Sequence, residues 1–100
     1  MRGNIAQMMQ QAQKMQEKMQ ADIAAIRVEG SAGGGMVSIS MDGQKNVLGV
    51  KIDPETAGDV EMLQDLVKAA CGDAIRQVDE LSSKKMSGML GGMGLPPGLF

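Results

Sequence analysis

Gln7, Gln11, Lys14 and Lys18 recur at spacings of four, three and four residues. That rhythm places two carboxamides and two ammonium groups on one side of a helix, along about three turns. Such side chains bind phosphate oxygens or base edges. Lys84 and Lys85 form a second basic pair near the end of a later helical pattern, where they would also complement the negative end of the helix dipole. The plain alternative for the first group is a solvated helix face with Glu17 softening its charge. The single aromatic residue is Phe100, so stacking on unpaired bases is not expected, and duplex backbone is the fitting nucleic-acid target.

Other chemistries find little support. Histidine is absent, and most carboxylates fall on a helical pattern where solvation accounts for them, so acid–base catalysis has no obvious residue. Cys71 lies in the apolar-rich stretch Val67 to Ala74, which reads as a packed thiol before a nucleophile. One cysteine and no histidine leave no zinc site. The glycines from Gly30 to Gly35 lack the GK[ST] ending of a phosphate loop and lead into a strand, so they read as a hairpin turn. Met8, Met15 and Met19 could suggest a soft metal, but they coincide with the packing seam of the first helix. The expectation is therefore a protein that is not an enzyme, with no cofactor, no metal and no small-molecule substrate.

Two long amphipathic patterns must position the basic residues. From Ile5 to Ile26, the apolar positions Ile5, Met8, Ala12, Met15 and Met19 are spaced three, four, three and four, a heptad-like seam opposite the Gln/Lys strip. The second pattern runs from Asp59 to about Met86, with Leu63, Leu66, Val67, Ala70, Ala74, Val78 and Leu81 as its buried stripe. Asp59 can cap it, with Glu61 in its first turn. Gly72 in its interior suggests a close approach by another element.

Between the helices lie three short strand patterns: Val28 and its flanks, Met36 to Asp42, and Val47 to Asp53 with Leu48, Val50 and Ile52 on one face. Asp42-Gly43 marks a tight turn that could extend through Gln44 and Lys45, and Pro54 ends the third strand. The reading is an α+β fold of order α-β-β-β-α, with a three-stranded antiparallel meander. Residues 1–87 form the domain, and residues 88–100, GMLGGMGLPPGLF, lack periodicity and read as a flexible Gly/Pro-rich tail.

The helices would be about 33 and 42 Å long, against strands of about 20 Å. Each should overhang the sheet, and an overhanging apolar stripe in a small chain is most simply covered by a second copy, giving a homodimer with projecting helical arms. Net charge is −2 and the pI near 5.0, which argues against a strongly basic binder. The charge is uneven, however. Residues 1–51 carry six Lys/Arg against four Asp/Glu, residues 52–81 two against eight, and residues 82–100 only Lys84 and Lys85. Basic ends on an acidic body allow local contact with an anion. No apolar run suits a signal peptide or membrane span, and a lone thiol fits a reducing cytoplasm.

QQAQKMQEKMQ (Gln10 to Gln20), GGGMV (Gly33 to Val37), V-x-I-D-P (Val50 to Pro54), EMLQDLVKAA (Glu61 to Ala70) and LPPG (Leu95 to Gly98) occur in order along nearly the whole chain. Together they resemble the YbaB/EbfC family of nucleoid-associated proteins. The resemblance implies a tweezer-like homodimer that binds duplex DNA through its projecting helices and influences nucleoid organisation and gene expression, without catalysis. It makes Lys14, Lys18, Lys84 and Lys85, with Arg2, the expected contact residues, in the cytoplasm at the nucleoid. The competing expectation is a protein-interaction module whose helical arms hold another protein, DNA association being incidental.

Overall fold

The computed structural model describes the backbone of residues 2–92 and the side chains of residues 4–88. Helix α1 spans Arg2–Ala24. Strands β1 (Arg27–Ala32), β2 (Val37–Asp42) and β3 (Val47–Ile52) follow, then a 3-10 turn at Pro54–Gly58 and helix α2 at Val60–Gly92. The strands form one antiparallel sheet in the order β1-β2-β3, which is the expected meander.

Alternation in the strands sorts the sheet into two faces. Val28, Gly30 and Ala32 stand opposite Met41, Ile39 and Val37, so all six share one side. α2 lies across that side, burying Val37, Ile39, Met41, Ala70, Ala74 and Val78. Glu29, Ser31, Ser38 and Ser40 occupy the other, wetter side, as period-two patterning requires. At its C-terminal end α1 adds Ile23 to the cluster of Ile26, Val28, Met41, Ala74 and Val78. There the Arg27 guanidinium donates to the carbonyls of Ala24 and Ile26, at 2.8 Å each, satisfying acceptors the helix end leaves open.

Glycine and aspartate fix how closely these layers meet. A Cβ on Gly30 would overlap the Ala70 carbonyl and the Ala74 amide nitrogen of α2, so β1 touches the helix backbone to backbone. The contact is flanked by polar bonds. Asp73 accepts from the Ser31 amide at 3.0 Å, Gln77 donates to the Glu29 carbonyl at 3.0 Å, and Arg76 pairs with Asp73 at 3.1 Å. At the other hairpin, Asp42 accepts from the amides of Gln44 and Asn46 at 2.9 Å, and Lys45 takes a left-handed φ of 66°. That four-residue bend is the longer form of the Asp-Gly turn. It seats Gly43 against the Ile23 carbonyl of α1 and links Lys45 to Asp79 of α2 at 3.0 Å.

The Ser31 amide holds the Asp73 carboxyl below the usual aspartate range, with Arg76 and Gln77 adding to the effect. For Asp42 the Asn46 amide is the main cause, reinforced by the Asn46 side chain and the Gln44 amide. A carboxylate whose pKa is lower folded than unfolded stabilises the fold above its unfolded pKa, and that support is lost as pH falls through the folded value. Thermal melts should therefore show stability declining below about pH 4. Asp73→Asn should flatten part of that decline.

Three features differ from the sequence reading. β3 was expected to present Leu48, Val50 and Ile52 on one face, yet all six of its residues are exposed. A bulge opposite Ser40 and Met41 sets Val47 across from Met41 and Gly49 across from Ser40, leaving Leu48 as the extra residue. Val50 and Ile52 do share the apolar side, but β3 lies beyond the strands that α2 covers. Secondly, α2 continues past Met86 to Gly92, because nothing before Pro96 forbids a helix. Residues 93–100, including LPPG, lie outside the described residues. Thirdly, a Cβ on Gly72 would meet nothing within 4 Å, so no element of the protomer uses the close approach its glycine offers. The α2 start follows expectation, with Asp59 accepting from the Met62 amide at 3.0 Å.

Candidate nucleic-acid interface

Among the described residues, α1 is anchored only near its C-terminal end, where Ile23 packs on the body. Residues 4–18 are all exposed, so roughly four turns stand clear of the sheet. Gln, Lys, Met and Ala all favour helix, which lets the arm form without covering its flanks. Gln11, Lys14 and Lys18 line one shallow groove on this arm, with Met15 as its apolar wall. Gln7 is exposed one turn earlier. From Gln7 to Lys18 the strip is about 16 Å long. Arg2 begins the same helix, but its side chain lies outside the described residues.

The electrostatics leave this strip available. Among the described residues the ion pairs are Lys45 with Asp79 and Arg76 with Asp73. Lys14, Lys18, Lys84 and Lys85 enter neither, and Glu17 does not bridge to its lysine neighbours.

Lys84 and Lys85 sit elsewhere. Lys84 shares a groove on α2 with Gly72, Ile75, Arg76, Asp79, Glu80 and Ser83, a mixed-charge surface. Lys85 is exposed. Because α2 runs on to Gly92, neither lysine lies in its last turn, which removes helix-dipole complementation as the reason for the pair. The protomer thus joins Gln11, Lys14 and Lys18 in one groove and holds Lys84 in another. Arg76 shares the Lys84 groove, as the eight-residue spacing on a helix allows.

Cys71 is half-buried against the Val37, Ile39 and Ala70 cluster, a packing position. Among the described residues no group of three or more His, Cys, Asp or Glu side chains could hold a metal ion, and no helix is long and apolar enough to cross a membrane. The Met8, Met15 and Met19 seam was expected to be filled by packing. In the protomer it forms an apolar groove with Gln11, Ala12 and Gln16.

Comparison with known proteins places this geometry. The profile of the YbaB/EbfC DNA-binding family matches residues 1–93. A nucleoid-associated protein of Xanthomonas campestris pv. campestris (strain B100) is 51% identical, the alignment covering 99% of this chain and 96% of the relative. A nucleoid-associated protein of Xylella fastidiosa (strain 9a5c) is 52% identical over 98% of this chain and 94% of its own. An uncharacterized protein from Helicobacter pylori, known from a crystal structure, superposes with a TM-score of 0.75 at 23% identity, covering 86% of this chain and 92% of that one. It shares the fold.

Proposed function

The chain belongs to the YbaB/EbfC DNA-binding family, and from that premise we propose that two copies form a homodimer whose α1 arms hold duplex DNA, chiefly by its phosphates. The observation carrying this reading is the exposed Gln11, Lys14 and Lys18 groove on a helix that stands clear of the body. Amides and ammonium groups on a regular helix meet phosphates of any sequence, so little sequence selectivity is expected. With the acidic stretch confined to residues 52–81, repulsion keeps the duplex off the body and at the arms. The role that fits is nucleoid organisation with effects on gene expression, in the cytoplasm at the nucleoid, without catalysis.

The second copy has a surface to cover. Val47, Val50 and Ile52 are 52%, 50% and 42% exposed on an edge strand whose outer hydrogen-bonding groups have no partner in the sheet. An uncovered apolar edge strand invites pairing with another chain, and an isologous contact uses it in both copies. Val50→Asp with Ile52→Asp is expected to give a folded monomer by sedimentation, where the parent protein sediments as a dimer.

The reading is tested in cells by Lys14→Glu with Lys18→Glu in a fluorescently tagged chain. Chromosome association should be lost while the dimer persists. Retained association would favour the interaction-module reading, which the mixed-charge groove beside the exposed Ile75 also supports.

A further inference from the structure

The turn between β2 and β3 does not account for the glycine at position 43. Its left-handed residue is Lys45, at φ 66°, and Gly43 is not among the glycines of positive φ, so the backbone there would admit a side chain. What a side chain would meet is α1. A Cβ on Gly43 would overlap the Ile23 carbonyl, with the Ile23 Cγ2 at 3.1 Å. That carbonyl accepts from the Ile26 amide at 3.0 Å and closes the last turn of α1, so it cannot swing aside without opening the helix end.

Further contacts converge on the same point. Ile23 packs against the cluster of Ile26, Val28, Met41, Ala74 and Val78. Arg27, whose guanidinium holds the Ala24 and Ile26 carbonyls, stands opposite Asp42 across the β1–β2 pair. Asp42 organises the hairpin by accepting from the Gln44 and Asn46 amides and from the Asn46 side chain. Lys45 then ties the hairpin to Asp79 of α2 at 3.0 Å. The base of the arm is held between the hairpin and α2, and only Ala25 and Ile26 join it to β1.

We propose that the β2–β3 hairpin is a brace that sets the angle of the DNA-holding arm, with Gly43 as its positioning residue. This rests on the reading of α1 as the DNA contact. The arm acts as a lever on its short link to the sheet. At about 1.5 Å per residue, Lys14 and Gln7 lie roughly 18 and 28 Å from Ile26 along the helix, so a tilt of about 10° there moves them by roughly 3 and 5 Å. Hydrogen bonds to phosphate oxygens do not survive movements of that size. Flexible lysine stems absorb part of the displacement, which leaves an expected loss of duplex affinity of about tenfold.

Spin labels on Gln10→Cys and Gln64→Cys, in a Cys71→Ser background, measure the arm-to-body distance by pulsed electron resonance. Both positions are exposed, one on α1 and one on α2, and labelled chains diluted into unlabelled ones keep each measured pair within a single chain. Gly43→Ala should shift or broaden this distance by several ångströms and lower duplex affinity about tenfold at 0.1 M salt. Asp42→Ala loosens the hairpin without adding bulk and should broaden the same distance. Because it removes an acid, charge alone would strengthen binding to an anion, so weaker binding reports the arm. Where Gly43→Ala fails to fold, Asp42→Ala decides alone. Ile39→Val, in the cluster that Ile23 does not join, is the structural control: it should lower the melting temperature and leave distance and affinity at parent values. An unchanged distance in the hairpin variants would overturn the proposal, as would a displaced arm that binds duplex as the parent does. A parent protein that binds no duplex would instead overturn the α1 reading of DNA binding, and the distance would still test the brace.

Discussion

Gly30→Ala is expected to cost the fold several kcal/mol, about 3 or more where ordinary overpacking costs 1–3. The added methyl would enter space held by the Ala70 carbonyl and the Ala74 amide nitrogen, with the Ala74 Cβ at 2.7 Å. Backbone of a helix cannot rotate aside as a flexible side chain can, so β1 and α2 must separate. Separation also stretches the Ser31–Asp73 and Gln77–Glu29 bonds on either side of the contact. For a domain of this size 3 kcal/mol lowers the melting temperature by roughly 12 to 24 °C. The control is Gly49→Ala, since a Cβ there meets nothing within 4 Å. That variant should melt close to the parent protein. Equal melting of the two variants would show that β1 does not ride against α2 as described.

Lys14→Gln with Lys18→Gln is expected to reduce duplex affinity on the order of 10³-fold at 0.1 M salt, with the dimer intact. Two lysines on each of two arms make four phosphate contacts, and each contributes about 0.9 to the slope of log K against log salt. Their removal should flatten the slope by about 3.6. Glutamine keeps the helix propensity and a polar side chain only one bond shorter, so the loss chiefly measures charge. Lys84→Gln with Lys85→Gln removes a pair that sits in and beside a mixed-charge groove, and a smaller loss is expected. Equal losses from the two pairs would mean that the α2 ends share the duplex on the same terms as α1.

The fold was legible where patterning and local chemistry agreed. Alternation in Val37, Ile39 and Met41 fixed the inner face of β2, and Asp59 marked the start of α2 by its capping carboxylate. What was hidden depended on contacts distant in sequence. Leu48, Val50 and Ile52 alternate as a buried strand would, yet a bulge displaces Leu48 and α2 covers only the first two strands. Gly72 and Gly30 both looked like sites of close approach or turn. Only coordinates separate Gly30, pressed on α2, from Gly72, facing open space. The end of α2 was missed because apolar periodicity stops where the helix leaves the sheet, whereas the helix itself continues to Gly92.

The candidate site was legible as a face. Spacing alone put Gln11, Lys14 and Lys18 on one strip, and the structure joins them in one groove. That they form no ion pair among the described residues was not legible, because Glu17 lies within bridging distance in sequence. The dipole-complementing position read for Lys84 and Lys85 failed for the same reason as the helix end. Their apparent position in a last turn depended on a boundary that periodicity could not supply.

Fluorescence anisotropy of a labelled mixed-sequence duplex, titrated with the dimer between 50 and 200 mM salt, tests the central claim most directly. Four phosphate contacts from the α1 arms predict a log–log slope near −3.6, an affinity loss of about 150-fold across that range. Slopes should be the same for unrelated duplex sequences. Binding that is independent of salt, or no binding at 50 mM, would contradict arms that grip the phosphate backbone.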